Sequence, residues 1–174
     1  MPGPTEFVLD VLSEKNVPAT FFCIGQNVDK HPQLLKRIAA EGHEVGNHTY
    51  NHVNGWKIGT AEYTTNVVAC RATLGNQQPP LFRPPYGRIT YSEIKLLKDY
   101  QIVMWDVLTY DFDSALSPQD CLDGAVRAVR PGSIIVFHDS YKAEKNLTYV
   151  LPKFIDDCRN RGYGFARLPR ERAL

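Results

Sequence analysis

The sequence has no closely spaced cysteines. Its four, Cys23, Cys70, Cys121 and Cys158, stand singly with no CxxC pair, which excludes a disulfide framework or zinc knuckle and leaves ordinary buried thiols. Net charge is nearly absent as well: 20 basic and 19 acidic side chains give +1, so no sequence-wide field or basic stripe favours nucleic acid or an anionic membrane. No apolar run approaches the ~20 residues that cross a bilayer, and the amino terminus lacks the basic-then-apolar pattern of a secretory signal. The residues as given read as a soluble chain of unspecified compartment, any signal or anchor lying upstream of Met1. Internal repeats and low-complexity segments are also missing, and the polar stretch GNQQPP at 75–80 reads as a loop, not a domain linker.

What is present is enough chain for one domain. At 174 residues, roughly 70% of the unfolded surface can be buried on folding. Residues 5–14 place Phe7, Val8, Val11 and Leu12 at helical spacing, with Thr5 as a cap. VPATFFCIG at 17–25 suits a buried strand, HPQLLKRIAAEG at 31–42 a helix closed by Gly42, and HEVGNH at 43–48 a short strand. Helices follow at 60–74, 92–98, 118–129 and 146–161, with extended pieces at LFRPPYG, QIVMWDV and SIIVFHD and a final strand at GFARL. Strands alternating with helices predict βαβ units and a mainly parallel sheet or barrel.

In such folds chemistry gathers at the carboxyl ends of strands. NHTYNH, RPPYG, WDVLTYDFD and FHD each leave or end a predicted strand. His48 and His52, four apart, can point to one side of a helical turn and offer two imidazoles to one zinc ion; the same spacing also serves surface or turn histidines. The prolines of RPPYG remove two donors and fix the direction of the Tyr86 N–H, as an oxyanion hole requires; a tight loop with an exposed Arg83 reads equally from the same residues. His138 ends an apolar strand. With a carboxylate such as Asp111 beside it, its protonated form is favoured and it becomes a candidate general acid; otherwise it is a satisfied core group. The triplets at Asn47 (NHT) and Asn146 (NLT) are uninformative as glycosylation signals.

Taken in order, ATFFCIG, EGHEVGNHTYNH, LFRPPYG, WDVLTYDFD and GSIIVFHDS resemble the polysaccharide deacetylase family, the NodB-like carbohydrate esterases. The resemblance covers nearly the whole chain. It implies an α/β fold, a distorted (β/α) barrel in one domain spanning 1–174, and removal of N-acetyl groups from N-acetylglucosamine-containing glycans, peptidoglycan or chitin-like. It also implies Zn2+ or another divalent transition metal. The family pattern H-[ST]-x-x-H falls on His48, Thr49 and His52, making both histidines metal ligands. R-P-P-Y falls on Arg83 to Tyr86, where the arginine steadies the catalytic base and the tyrosine N–H stabilises the oxyanion. Val136 and His138 match the acid motif, and Asp111 the aspartate that tunes it; Tyr86, Trp105, Phe112 and Val136 would contact substrate. The D-x-x-D-W pattern is matched imperfectly, with Leu108 for its first aspartate and Phe112 for its tryptophan.

The resemblance also implies a gap. Family members begin with a strand ending in an Asp-Asp-Gly-Pro turn that supplies the base and a third metal ligand, and Met1 stands where the following loop would be. The expectation is an N-terminally truncated domain lacking its first strand, that base and that ligand. Its activity would be impaired, Arg83 would lack its anionic partner, and the TFFC strand would offer an uncovered edge for self-association. The alternative is a noncatalytic glycan-binding module that uses Trp56, Tyr86, Trp105, Tyr110 and Phe112.

Overall fold

The computed structural model describes residues 2–75 and 80–169, so most of the GNQQPP stretch lies outside the described residues. By contacts the chain divides into two compact units, Met1–Pro18 with Trp105–Ala166, and Ala19–Met104 with Arg167–Leu174.

The second of these units carries a four-stranded parallel sheet in the order β1 (Thr20–Cys23), β2 (Glu44–Asn47), β3 (Leu81–Phe82), β4 (Gln101–Ile102). Every residue of β1, the end strand, is only half-buried, whereas Leu81 and Phe82 are at most 1% exposed. Around the sheet run α2 (Gly25–Lys30), α3 (Pro32–Ala40), α4 (Thr60–Leu74) and α5 (Tyr91–Leu96). α4 has the predicted bounds because its buried Tyr63, Val67 and Cys70 recur at helical spacing. Tyr63 and Val67 pack with Phe82 and Leu97 into this unit's core. α2 was not foreseen: its six residues bury only Gly25 and Val28, too few for a periodic signal. α5 starts one residue before the prediction, at a capping box in which Thr90 Oγ1 accepts from Glu93 N and Glu93 accepts from Thr90 N.

The other unit contains a two-stranded parallel sheet of β5 (Val107–Leu108) and β6 (Ile135–Val136) with α1 (Pro2–Glu14), α6 (Pro118–Ala128) and α7 (Glu144–Asn160). Cys121, Ala125 and Val129 pack against Val150, Phe154 and Cys158. QIVMWDV, expected as one strand, is split between β4 and β5, which belong to different sheets. The break is fixed at Asp106, whose carboxylate accepts from Ser133 Oγ at 2.9 Å and Ile134 N at 2.7 Å. SIIVFHD contributes only Ile135–Val136 to a ladder, and GFARL forms no strand. Thr5 is no cap: it lies within α1, and its hydroxyl donates to Asp139 at 2.6 Å. All four cysteines are free; burial pushes Cys70 and Cys121 up to about 11, so they remain thiols.

Candidate active site

The predicted site residues form two clusters, one in each unit. In the unit holding the four-stranded sheet, β2 ends at Asn47, and the chain turns sharply enough that Thr49 (φ 63°) and His52 (φ 57°) adopt left-handed backbone. The two histidines are thus carried by a bend, not the expected helical turn. Asn47, 2% exposed, sets that bend: its Oδ1 accepts from Thr49 N at 2.9 Å and its Nδ2 donates to Val67 O at 2.8 Å. The imidazoles of His48 and His52 end with centroids 5.0 Å apart.

Each ring is oriented through Nδ1. His48 Nδ1 lies 2.7 Å from the Arg83 carbonyl, which can only accept, so Nδ1 carries the proton and Nε2 the lone pair. His52 Nδ1 is 3.2 Å from the Tyr86 hydroxyl, with the two rings edge-to-face at 4.7 Å. Outer hydrogen bonds of this kind hold metal-ligating histidines in register. Tyr86 has φ 59° within the Pro85–Gly87 turn and is 60% exposed. Strained backbone of this sort persists where its surroundings enforce it and clusters at functional sites.

Arg83 is not the exposed residue of a tight loop, nor is it left as a bare buried cation. It is 8% exposed, its Nε donates to Val103 O at 3.1 Å and its Nη2 to Met104 O at 3.2 Å, and its guanidinium lies 4.1 Å from the Phe22 ring centroid. Burial lowers its pKa to about 10, still charged at neutral pH. Its backbone N–H donates to Asn47 O, so Arg83 ties β3 to the histidine loop from both ends of its peptide.

In the other unit the predicted dyad is formed. Asp111, 1% exposed, places Oδ2 2.6 Å from His138 N and Oδ1 2.8 Å from His138 Nδ1. One carboxylate thus fixes both the backbone and the ring of the histidine, with Nε2 pointing away from the pair. Phe112 meets the His138 ring edge-to-face at 4.9 Å. The carbonyl of buried Val136 accepts from Thr109 Oγ1 at 2.9 Å, anchoring the loop that carries Asp111. Trp105 is half-buried just ahead of β5.

Sequence reasoning missed the buried asparagines. Asn146, 3% exposed, donates through Nδ2 to Asp111 O at 3.1 Å and Asp113 O at 3.2 Å, doing for the dyad what Asn47 does for the histidine loop. Both had been set aside as chance triplets. An Asn whose side chain accepts from the N–H two residues on is an Asx-turn, a signal NHT did carry.

The donor chemistry of His48 and His52 suits a divalent transition ion, but catalytic zinc takes three protein ligands. No group of three His, Cys, Asp or Glu able to hold an ion occurs among the described residues. The pair therefore fits a metal as part of a ligand set.

Imidazoles and a buried carboxylate at the ends of parallel strands are the equipment with which hydrolytic enzymes of the α/β class move protons. The polysaccharide deacetylase family model matches residues 2–105, and the chain belongs to that family. It is 34% identical over 171 residues to a peptidoglycan-N-acetylglucosamine deacetylase of Bacillus cereus, covering 95% of this chain but only 62% of that protein's length. The crystal structure of the Bc1960 peptidoglycan N-acetylglucosamine deacetylase superposes with a TM-score of 0.90 at 32% identity, covering 98% of this chain and 85% of that one. The expected NodB-type α/β fold is the one shared. BA3943 of Bacillus anthracis, a family pseudoenzyme, shares it too, with a TM-score of 0.84 at 26% identity over 95% of this chain and 59% of that one.

Proposed function

We propose that this chain is a hydrolase removing N-acetyl groups from N-acetylglucosamine-containing glycan of the peptidoglycan or chitin-like class. The observation that carries the reading is the dyad, in which both Asp111 oxygens hold His138 through its N–H and Nδ1. A divalent transition ion held by His48 and His52 would polarise the acetamide carbonyl and make water a better nucleophile. The Tyr86 N–H donates to the carbonyl oxygen as negative charge develops there. His138, protonated and oriented by Asp111, delivers the Nε2 proton to the amine as the C–N bond breaks. Acetate and the free amino sugar leave. Phe112, Trp105 and Val136 shape the surroundings of the acetyl group, and Arg83 holds the His48 carbonyl contact in place.

With two imidazoles as the ligand set, metal affinity and rate are reduced; a missing base alone costs about 10² to 10⁴ in rate. The half-exposed β1 edge favours self-association. The same two-imidazole set supports the second reading, a glycan binder without turnover. Acetate release from a peptidoglycan oligomer with added zinc separates them. We expect slow release by the chain and none by His138→Ala with zinc still bound; equal rates for the two would sink the acid assignment, and release by neither would leave the binder.

A further inference from the structure

The loop that carries His52 continues into an exposed tryptophan. Trp56 is 61% exposed, yet it is held on three sides. Its backbone N donates to Asn54 Oδ1 at 2.9 Å, its indole Nε1 to Ile89 O at 3.3 Å, and the Arg88 guanidinium lies 3.9 Å from its ring centroid. Gly55, just before it, is buried so tightly that an added Cβ would come within 2.7 Å of Arg88 O and 2.6 Å of Glu93 Oε2. The two loops are thus joined by parallel contacts, His52 to Tyr86 and Trp56 to Arg88, and the exposed aromatic rim runs from the imidazole pair to the indole.

A large aromatic held rigid in solvent with one face covered is poor core material, but it is suited to binding. Pyranose rings present a face of C–H bonds that stacks on the π-face of an indole, and fixing the indole beforehand lowers the entropy lost on binding. With Arg88 on one face, the opposite face is the accessible one. The cations beside it, Arg88 and the exposed Lys57, supply positive charge at its edge.

Resting on the deacetylase reading, we infer that Trp56 is a sugar subsite next to the reacting residue, taking the pyranose of a glycan that bears a carboxylate beside the ring, which Arg88 and Lys57 attract. This distinguishes an acidic glycan, such as one alternating N-acetylglucosamine and N-acetylmuramic acid, from a neutral N-acetylglucosamine oligomer.

The test titrates the whole chain, in chelator so that no turnover occurs, with the acidic tetrasaccharide and with the neutral N-acetylglucosamine tetramer, following the Trp56 indole N–H resonance. Assignment comes from Trp56→Phe, which keeps a stacking ring and tells loss of the face from misfolding. The acidic sugar is expected to shift that resonance and bind several-fold more tightly than the neutral one at low salt. Trp56→Ala should weaken both by about tenfold, and Arg88→Gln should weaken the acidic sugar alone. Affinities within twofold for wild type and Trp56→Ala, or equal affinities for the two sugars, would overturn the subsite. Acetate release with a KM unaltered by Trp56→Ala would likewise remove the subsite and leave the hydrolase. Trp56-dependent binding without acetate release would uphold the subsite and remove the hydrolase.

Discussion

The two clusters solve the same problem, holding an imidazole at a fixed angle, with opposite materials. His138 is gripped by a fully buried carboxylate that spends both oxygens on it, so the dyad is electrostatically complete within its own unit. His48 and His52 hang from a neutral carbonyl and an exposed phenol, so their charge-binding capacity is left to whatever they ligate. Both loops are bent by a left-handed residue, Tyr110 (φ 56°) in one and Thr49 in the other, and both are clamped by a buried asparagine. A proton donor can be built from side chains alone, whereas a metal pair is an unfinished object until the ion arrives.

That contrast breaks most readily at Asp111. Replacing it by Ala strands two N–H groups of His138 and removes its orientation, so deacetylation should fall by about 10² to 10⁴ and stability by about 1–3 kcal/mol. Zinc affinity, measured by calorimetry, should not change; a fall would show the clusters to be coupled. Next comes the asparagine pair. Asn47→Ala and Asn146→Ala should each cost about 1–3 kcal/mol in denaturant unfolding, but only Asn47→Ala should also weaken zinc, by about 10–100-fold. A smaller effect is expected from Tyr86→Phe, which removes a long 3.2 Å contact at an exposed site. Zinc affinity should drop by less than about tenfold, and a larger drop would make the phenol a ligand-orienting group of the first importance.

How much of this was legible in the sequence depended on whether a residue's job was local. Strand ends bearing His48, Arg83 and His138 could be found because apolar runs give way to polar residues there, and α4 because its apolar period is long. The partition of QIVMWDV was not, since Met104 and Trp105 look as apolar as their neighbours and the break is imposed by Asp106 reaching Ser133 and Ile134, 27 and 28 residues on. Arg83 likewise was read as needing an anion, because sequence cannot show that carbonyls at 103 and 104 and the ring of Phe22 surround it. Of the dyad, the partners were named correctly, yet that one carboxylate would also hold the His138 backbone depends on loop geometry set by Thr109 and Asn146.

The two units should also answer pH in opposite directions, and this is the subtlest way to tell them apart. In the four-stranded unit His43 is buried and its Nδ1 accepts from Ala19 N, a bond that a protonated ring cannot make. Burial lowers its pKa from the ordinary 6.5, partly opposed by Glu41. The unfolded chain therefore binds this proton more readily, and the stability His43 contributes is full above about 6.5 and is lost as pH falls through that value. In the other unit burial raises the Asp139 carboxyl above the ordinary 3.8, against the hydrogen bond from Thr5. There the folded form binds the proton more readily, so the stability is full below 3.8 and is lost as pH rises above it. Amide hydrogen exchange, corrected for its intrinsic pH dependence, should show β1 and β2 becoming less protected towards acid and α1 less protected towards neutrality. His43→Asn should flatten the first trend and Asp139→Asn, which can still accept from Thr5, the second. If either substitution flattened both trends, the two units would be opening as one.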